Sequence, residues 1–136
     1  MDAEDDETIE LFRPVGPAEL ALIRELGWRA FPPRLQFQPI FYPVLTEAYA
    51  RQIARDWNAT RADTGYAGFV TRFRVRAAYA RQFQVQTVGG RQHRELWVPA
   101  EQLAEFNANI VGEIEVIATY RGSADGEPVE VDSLDP

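Results

Sequence analysis

Residues 66–76 read YAGFVTRFRVR, and their alternation decides the fold class. Phe69, Thr71, Phe73 and Val75 fall on one side of an extended chain, and Arg72, Arg74 and Arg76 fall on the other. A period of two with one apolar and one charged row is the signature of a β-strand. Three guanidinium groups in a row on one face suit either a pyrophosphate or acidic partner, or a solvated sheet face paired with Glu.

Working outward, the same period recurs at 8–13, 83–88, 92–98 and 113–120, and Ile40-Phe41-Tyr42 reads as a short strand closed by Pro43. Pro14-Val15-Gly16-Pro17 is expected to break the first strand, and Pro17 to open a helix that stops at Gly27, with Leu20, Ile23 and Leu26 beside Leu22 as its apolar stripe. Thr46 reads as the N-cap of a helix over about 46–57, with Ala50, Ile53, Ala54 and Trp57 on its buried face. Short helices are expected at 77–82 and from Pro99 to about 107. Residues 28–39 carry three prolines and no clear period, so Trp28, Phe31 and Phe37 there either line an aromatic slot or form a satellite hydrophobic cluster. The order β-α-β-α-β-(α)-β-β-α-β, with helices early and strands late, predicts an α+β domain with a largely antiparallel sheet over residues 8–120.

The chain has 136 residues, the length of one ordinary domain, and 46% hydrophobic residues. The net charge of −7 is concentrated at the ends. Residues 1–7 and 121–136 hold ten of the 21 acids, and both stretches are expected to be disordered, the second largely so. Residues 8–120 hold 11 acids against 13 arginines and are close to neutral. Every basic residue is Arg, which suits forked contacts to phosphate or carboxylate and equally reflects biased codon usage. With no cysteine there is no disulfide and no thiolate chemistry. The acidic, polar start MDAEDDET lacks the pattern of a signal peptide, and no apolar run approaches the roughly 20 residues of a membrane span, so a cytoplasmic protein without a membrane partner is the expectation.

Most familiar chemistries are excluded by residue type. His93 is the one histidine, so a catalytic zinc set is not expected, and no metal is implied. No Gly-rich phosphate loop and no Asp-rich calcium loop occurs. What remains is a polar set on strands: Arg13 at the end of the first, Tyr42 at the end of the second, and Glu95 within QHRELWV (92–98). A carboxylate amid Leu96, Trp97 and Val98 stands out because burying an unpaired charge is costly. Alternation places Glu95 with Trp97, opposite Leu96 and Val98. With those two in the core, Glu95 faces a cleft or solvent, or pairs with an Arg at the strand edge.

Three segments, in order, resemble the ADP-ribosyltransferase fold of diphtheria toxin and the poly(ADP-ribose) polymerases. IELFRPVG (9–16) resembles the first block, where a His or Arg on the first strand anchors NAD, and Arg13 matches it. IFYPVLTEAYARQIARDW (40–57) resembles the second, where one Tyr stacks on nicotinamide and a helix carries another. Tyr42 matches the first and Tyr49 the second. QHRELWVP (92–99) resembles the third, and Glu95 matches its catalytic Glu. The pattern is also similar to small bacterial proteins catalogued under an ADP-ribosylation/crystallin heading. The resemblance implies a mostly antiparallel split sheet with three or four short helices, NAD as substrate, and mono-ADP-ribosyl transfer. Arg13, Tyr42 and Tyr49 would bind the cofactor, and Glu95 would stabilise the cation-like transition state. Arg13 stands where the diphtheria-type pattern has His, with Pro14 after it, and the strand at 40–45 lacks the serine motif of arginine-specific enzymes. These departures leave open a catalytically inactive member that binds a nucleotide, ADP-ribose or a protein. The ten acids of the ends leave open a basic protein partner.

Overall fold

The computed structural model describes residues 7–91 and 93–131. The alternating run within residues 66–76 forms β3 (Ala67–Arg76), flanked antiparallel by β1 (Thr8–Val15) and β7 (Ile110–Arg121). An outer strand, β8 (Val129–Val131), pairs with β7, giving the order β1-β3-β7-β8. The protein is α+β, with antiparallel pairing throughout the described strands and four α-helices among the described residues. No helix among them is long and apolar enough to cross a membrane.

Both faces of the sheet are covered, one by each of two cores. Phe73 and Val75 from β3, with Leu11 and Val15 from β1, face helix α1 (Pro17–Glu25), the loop residue Phe31, and Phe106 of α4 (Leu103–Ala108). Phe31 meets Phe73 edge-on at 4.8 Å and Phe41 at 5.0 Å, so this core is built largely of tilted aromatic pairs. On the other face Phe12, Val70 and Ala118 receive α2 (Glu47–Asp56) through the small residues Ala50 and Ala54. Thr46 caps α2 as expected, its hydroxyl accepting from the Tyr49 N–H at 3.2 Å.

Several expectations need correction. Pro14 does not end β1, which runs on to Val15. Leu22 and Leu26 of the α1 stripe are exposed, and only Leu20 and Ile23 are buried there. Trp57 is 59% exposed and stands just beyond α2 instead of in its buried face. The expected strand 92–98 is divided into β5 (Arg94–Leu96) and β6 (Val98–Pro99), and the helix from Pro99 begins as a 3-10 turn at Ala100–Gln102. The acidic stretch 121–136 supplies β8, while residues 132–136 lie outside the described part. At the other end, residues 1–6 also lie outside it, and Glu7 is held by the Ala77 N–H at 2.9 Å and by Arg81. The guanidinium row on β3 takes the solvated reading at Arg72, which pairs with Glu115 at 3.1 Å. Phe31 joins the main core and Phe37 is 77% exposed, so the aromatics of 28–39 form neither a slot nor one satellite cluster.

One further ladder positions the site. Ile40 lies opposite Pro99 and Phe41 opposite Val98, joining β2 (Ile40–Phe41) to β6. Val44 lies opposite Glu95 in the same register, so segments 40–45 and 94–99 form one antiparallel pair interrupted at Tyr42 and Trp97. Beyond β5, β4 (Val85–Thr87) closes this smaller sheet.

Candidate functional site

Residues 43–45 act as a strap between the two sheets. Val44 exchanges both backbone hydrogen bonds with Phe12 of β1, at 3.0 and 2.7 Å. Its neighbours turn the other way: the Leu45 N–H reaches Arg94 O at 3.1 Å, and Pro43 O accepts from the Leu96 N–H at 2.9 Å. Beyond Phe12 the pairing would bring Pro14 opposite Tyr42. The backbone of Pro14 faces this edge, as that of Phe12 does, and proline has no N–H to give. No further β1–strap bridge forms among the described residues, and the chains splay apart. Pro14 thus ends the outer pairing of β1 instead of the strand itself, and the gap it leaves is a cleft.

The cleft has a volume of about 350 Å³, and Arg13, Tyr42 and Glu95 all line it. Three residues separated by 82 positions are therefore brought to one cavity by the strap and the two strands it joins. Alternation in the 40–45/94–99 pair explains two of them. Leu96 and Val98 are buried in the aromatic core, and Glu95 and Tyr42 point from the opposite face. Tyr42 and Trp97 lie across the interrupted rung with ring centroids 6.4 Å apart.

Glu95 is held by two donors. The Tyr49 hydroxyl donates to Oε2 at 2.6 Å, and the Trp97 indole N–H donates to Oε1 at 3.0 Å. Burial, then the hydrogen bond and charge of Glu95, push the Tyr49 hydroxyl well above the usual tyrosine range, so it remains a donor at neutral pH. The Tyr49 ring is stacked on His93 at 4.5 Å and does not line the cavity. His93 is in turn 3.2 Å from Gln52 Oε1. Tyr49 thus touches the site through Glu95 instead of through a stacking face.

Arg13 is only 8% exposed and is committed to an acid. Its Nε and Nη2 form a fork with the two oxygens of Glu19 at 2.6 and 2.9 Å. Local sequence explains the pair: Gly16 and Pro17 start α1 immediately after β1, so Glu19 in its first turn folds back over the strand end. The Arg13 guanidinium also sits 4.7 Å from the centre of the Phe41 ring. Among its nitrogens, Nη1 has no hydrogen-bond partner among the described residues.

Arg34, Trp57 and Asn58 also line the cavity, and none was marked by the sequence reading. Arg34 lay in a proline-rich loop with no period to fix its direction, and Trp57 was assigned to a helix face that ends one residue earlier. Asn58 carries a buried side-chain oxygen without a hydrogen-bond partner among the described residues. No group of three or more acidic, His or Cys side chains among the described residues is placed to hold a metal. Compared with known proteins, no family model, no curated protein and no solved structure matches the chain.

Proposed function

We propose that the cleft binds NAD and transfers ADP-ribose from it to an acceptor, in an ADP-ribosyltransferase-like fold whose split sheet is the pair joined by the strap. The observation that carries this reading is the meeting of Arg13, Tyr42 and Glu95 in one cavity of about 350 Å³, a size that suits a nucleoside-sized group. Tyr42 offers an exposed ring to the nicotinamide, and Arg13 offers Nη1 to a ribose hydroxyl. Glu95, fixed by Tyr49 and Trp97, faces the ribose and stabilises positive charge as it develops. The ribose C1′–N bond breaks, and nicotinamide leaves neutral with the electron pair. The acceptor's nucleophile then bonds to C1′ and gives up its proton. Tyr49 is a positioning residue here, because its hydroxyl acts through the carboxylate.

Nicotinamide release from NAD tests the proposal. Wild type is expected to release it, and Glu95→Gln, which keeps the shape and the Trp97 bond, is expected to lose at least 100-fold, on the order of one electrostatic contact to the transition state. Equal background release by both proteins sinks it. A second reading, a member of the fold that binds without catalysis, is favoured by the closed Arg13–Glu19 fork. Calorimetric binding of NAD and ADP-ribose without nicotinamide release selects that reading, and no heat with either ligand removes both.

A further inference from the structure

Among the described residues that line the cleft, Arg34 is the cation without a carboxylate partner. Two basic and two acidic side chains line the cleft: Arg13, Arg34, Glu19 and Glu95. The fork between Arg13 and Glu19 cancels two of them. Glu95 has its two oxygens engaged by neutral donors, the Tyr49 hydroxyl and the Trp97 indole N–H, and no cation pairs with it among the described residues. Arg34 donates from Nε to the Ile40 carbonyl at 3.1 Å, and its terminal nitrogens have no carboxylate or other hydrogen-bond partner among the described residues. The cleft is therefore dipolar, with uncompensated positive charge at Arg34 and negative charge at Glu95.

Arg34 is also held in place. Ahead of it, the Asn107 side chain clasps both backbone groups of Phe31, at 2.9 and 3.0 Å. After it, Gln38 closes a turn on Leu35, donating its N–H to Leu35 O at 2.8 Å while its side-chain oxygen accepts the Leu35 N–H at 3.1 Å. The guanidinium lies 5.9 Å from the Phe41 ring. Burial, and then the charge of Arg13, lower its pKa from the usual arginine value, against smaller opposing effects of Glu19 and Tyr42. A half-buried guanidinium anchored at Nε, with its outer nitrogens unpaired, is set for forked recognition of an oxyanion.

We propose that Arg34 is the anion-binding residue of the cleft, taking a phosphate or pyrophosphate oxygen pair, while Arg13 and Glu19 form a neutral wall. The identity of the whole ligand as a dinucleotide rests on the functional reading above, but the anion site does not. It assigns the phosphate end of the ligand to the 28–39 loop and the cationic end to Glu95, so a ligand with separated charges fits better than a simple anion.

Calorimetry with inorganic pyrophosphate and with NAD, on the full chain, tests this. Wild type is expected to bind pyrophosphate with an affinity that falls steeply with salt. Arg34→Gln is expected to lose at least tenfold for both ligands, and Arg34→Lys to recover part of the pyrophosphate affinity but not the forked contact. Arg81→Gln, remote and paired with Glu7, serves as the folding and charge control and is expected to match wild type. Pyrophosphate binding that Arg34→Gln leaves unchanged, or no pyrophosphate binding by wild type, overturns the proposal. Pyrophosphate lost with Arg34 while NAD never binds upholds the anion site and ends the dinucleotide reading. NAD turned over equally by wild type and Arg34→Gln ends the anion site and leaves that reading standing.

Discussion

Gly68→Ala is expected to lift α2 off the sheet and open the rear wall of the cleft. A Cβ built on Gly68 would lie 2.4 Å from the Ala54 carbonyl oxygen, 2.8 Å from Asn58 Cβ and 3.0 Å from the Ala54 carbonyl carbon. Ordinary contact begins at 3.4 Å, and the first of these obstacles is backbone, so the end of α2 must retreat by about 1 Å. Overpacking of this kind costs about 1–3 kcal/mol, and the upper end applies where no side chain can yield. Removing a glycine's freedom from the unfolded chain offsets about 0.4–1 kcal/mol, leaving a net loss of about 2 kcal/mol. With a urea m-value of about 2 kcal/mol/M, the unfolding midpoint falls by about 1 M. Gly16→Ala is the internal control, since its Cβ would meet only side-chain atoms, the closest being Thr64 Cγ2 at 3.3 Å, and it should cost less than half as much. The retreat also carries Asn58 and Trp57, which line the cavity, so ligand affinity falls with stability. A Gly68→Ala midpoint within about 0.3 M of wild type, on that m-value, refutes the close packing of α2 on β3.

Tyr49→Phe removes a donor to a charged group and is expected to cost about 1.5 kcal/mol at pH 7, the low end for such a bond because Trp97 still holds Glu95. The folded-state pKa of Tyr49 is raised, so its contribution is complete below the unfolded tyrosine value of about 10 and is lost as pH climbs above it. Melting temperatures from pH 9 to 11.5 should therefore fall less steeply for Tyr49→Phe than for wild type, and identical slopes would contradict the bond. Glu19→Ala strands the buried Arg13 and should cost about 3 kcal/mol by urea denaturation, the low end for breaking a buried pair. A loss under about 0.5 kcal/mol, as for an exposed pair, would show that the fork contributes little. Thr46→Ala should cost about 1 kcal/mol, with faster hydrogen exchange at the Tyr49 amide as its local marker.

Local chemistry was the part of this fold most legible in the sequence. The two faces of β3 are set by side-chain alternation alone, and the hydroxyl of Thr46 announces α2. The direction of Glu95 followed from Leu96 and Val98, because a strand cannot turn two buried residues inward without turning their neighbour out. The features that failed depend on partners far along the chain. Pro14 reads as a strand breaker until Val44 is known to occupy its edge of β1. Arg34 has no pattern around it, and it stands out only by comparison: Glu19 pairs with Arg13, and no carboxylate among the described residues pairs with Arg34. Trp57 has a helix-facing spacing, yet α2 stops at Asp56 and leaves the ring at the cleft. β8 escaped notice because an acidic stretch with a single Val-Glu-Val resembles a solvated tail until Arg121 and Thr119 of β7 are seen to pair with it.

The strap at 43–45 has a consequence for ligand choice. It places one backbone between β1 and β5, so Phe12 and Glu95 are held two strand spacings apart, about 9.6 Å. Four backbone hydrogen bonds at Val44, Leu45 and Pro43 maintain that interval. Side chains at the two walls can reorient, but the walls themselves cannot close or part without unzipping the strap. On the proposed reading, a group seated between β1 and Glu95 must match that fixed interval, because the walls cannot draw in around it.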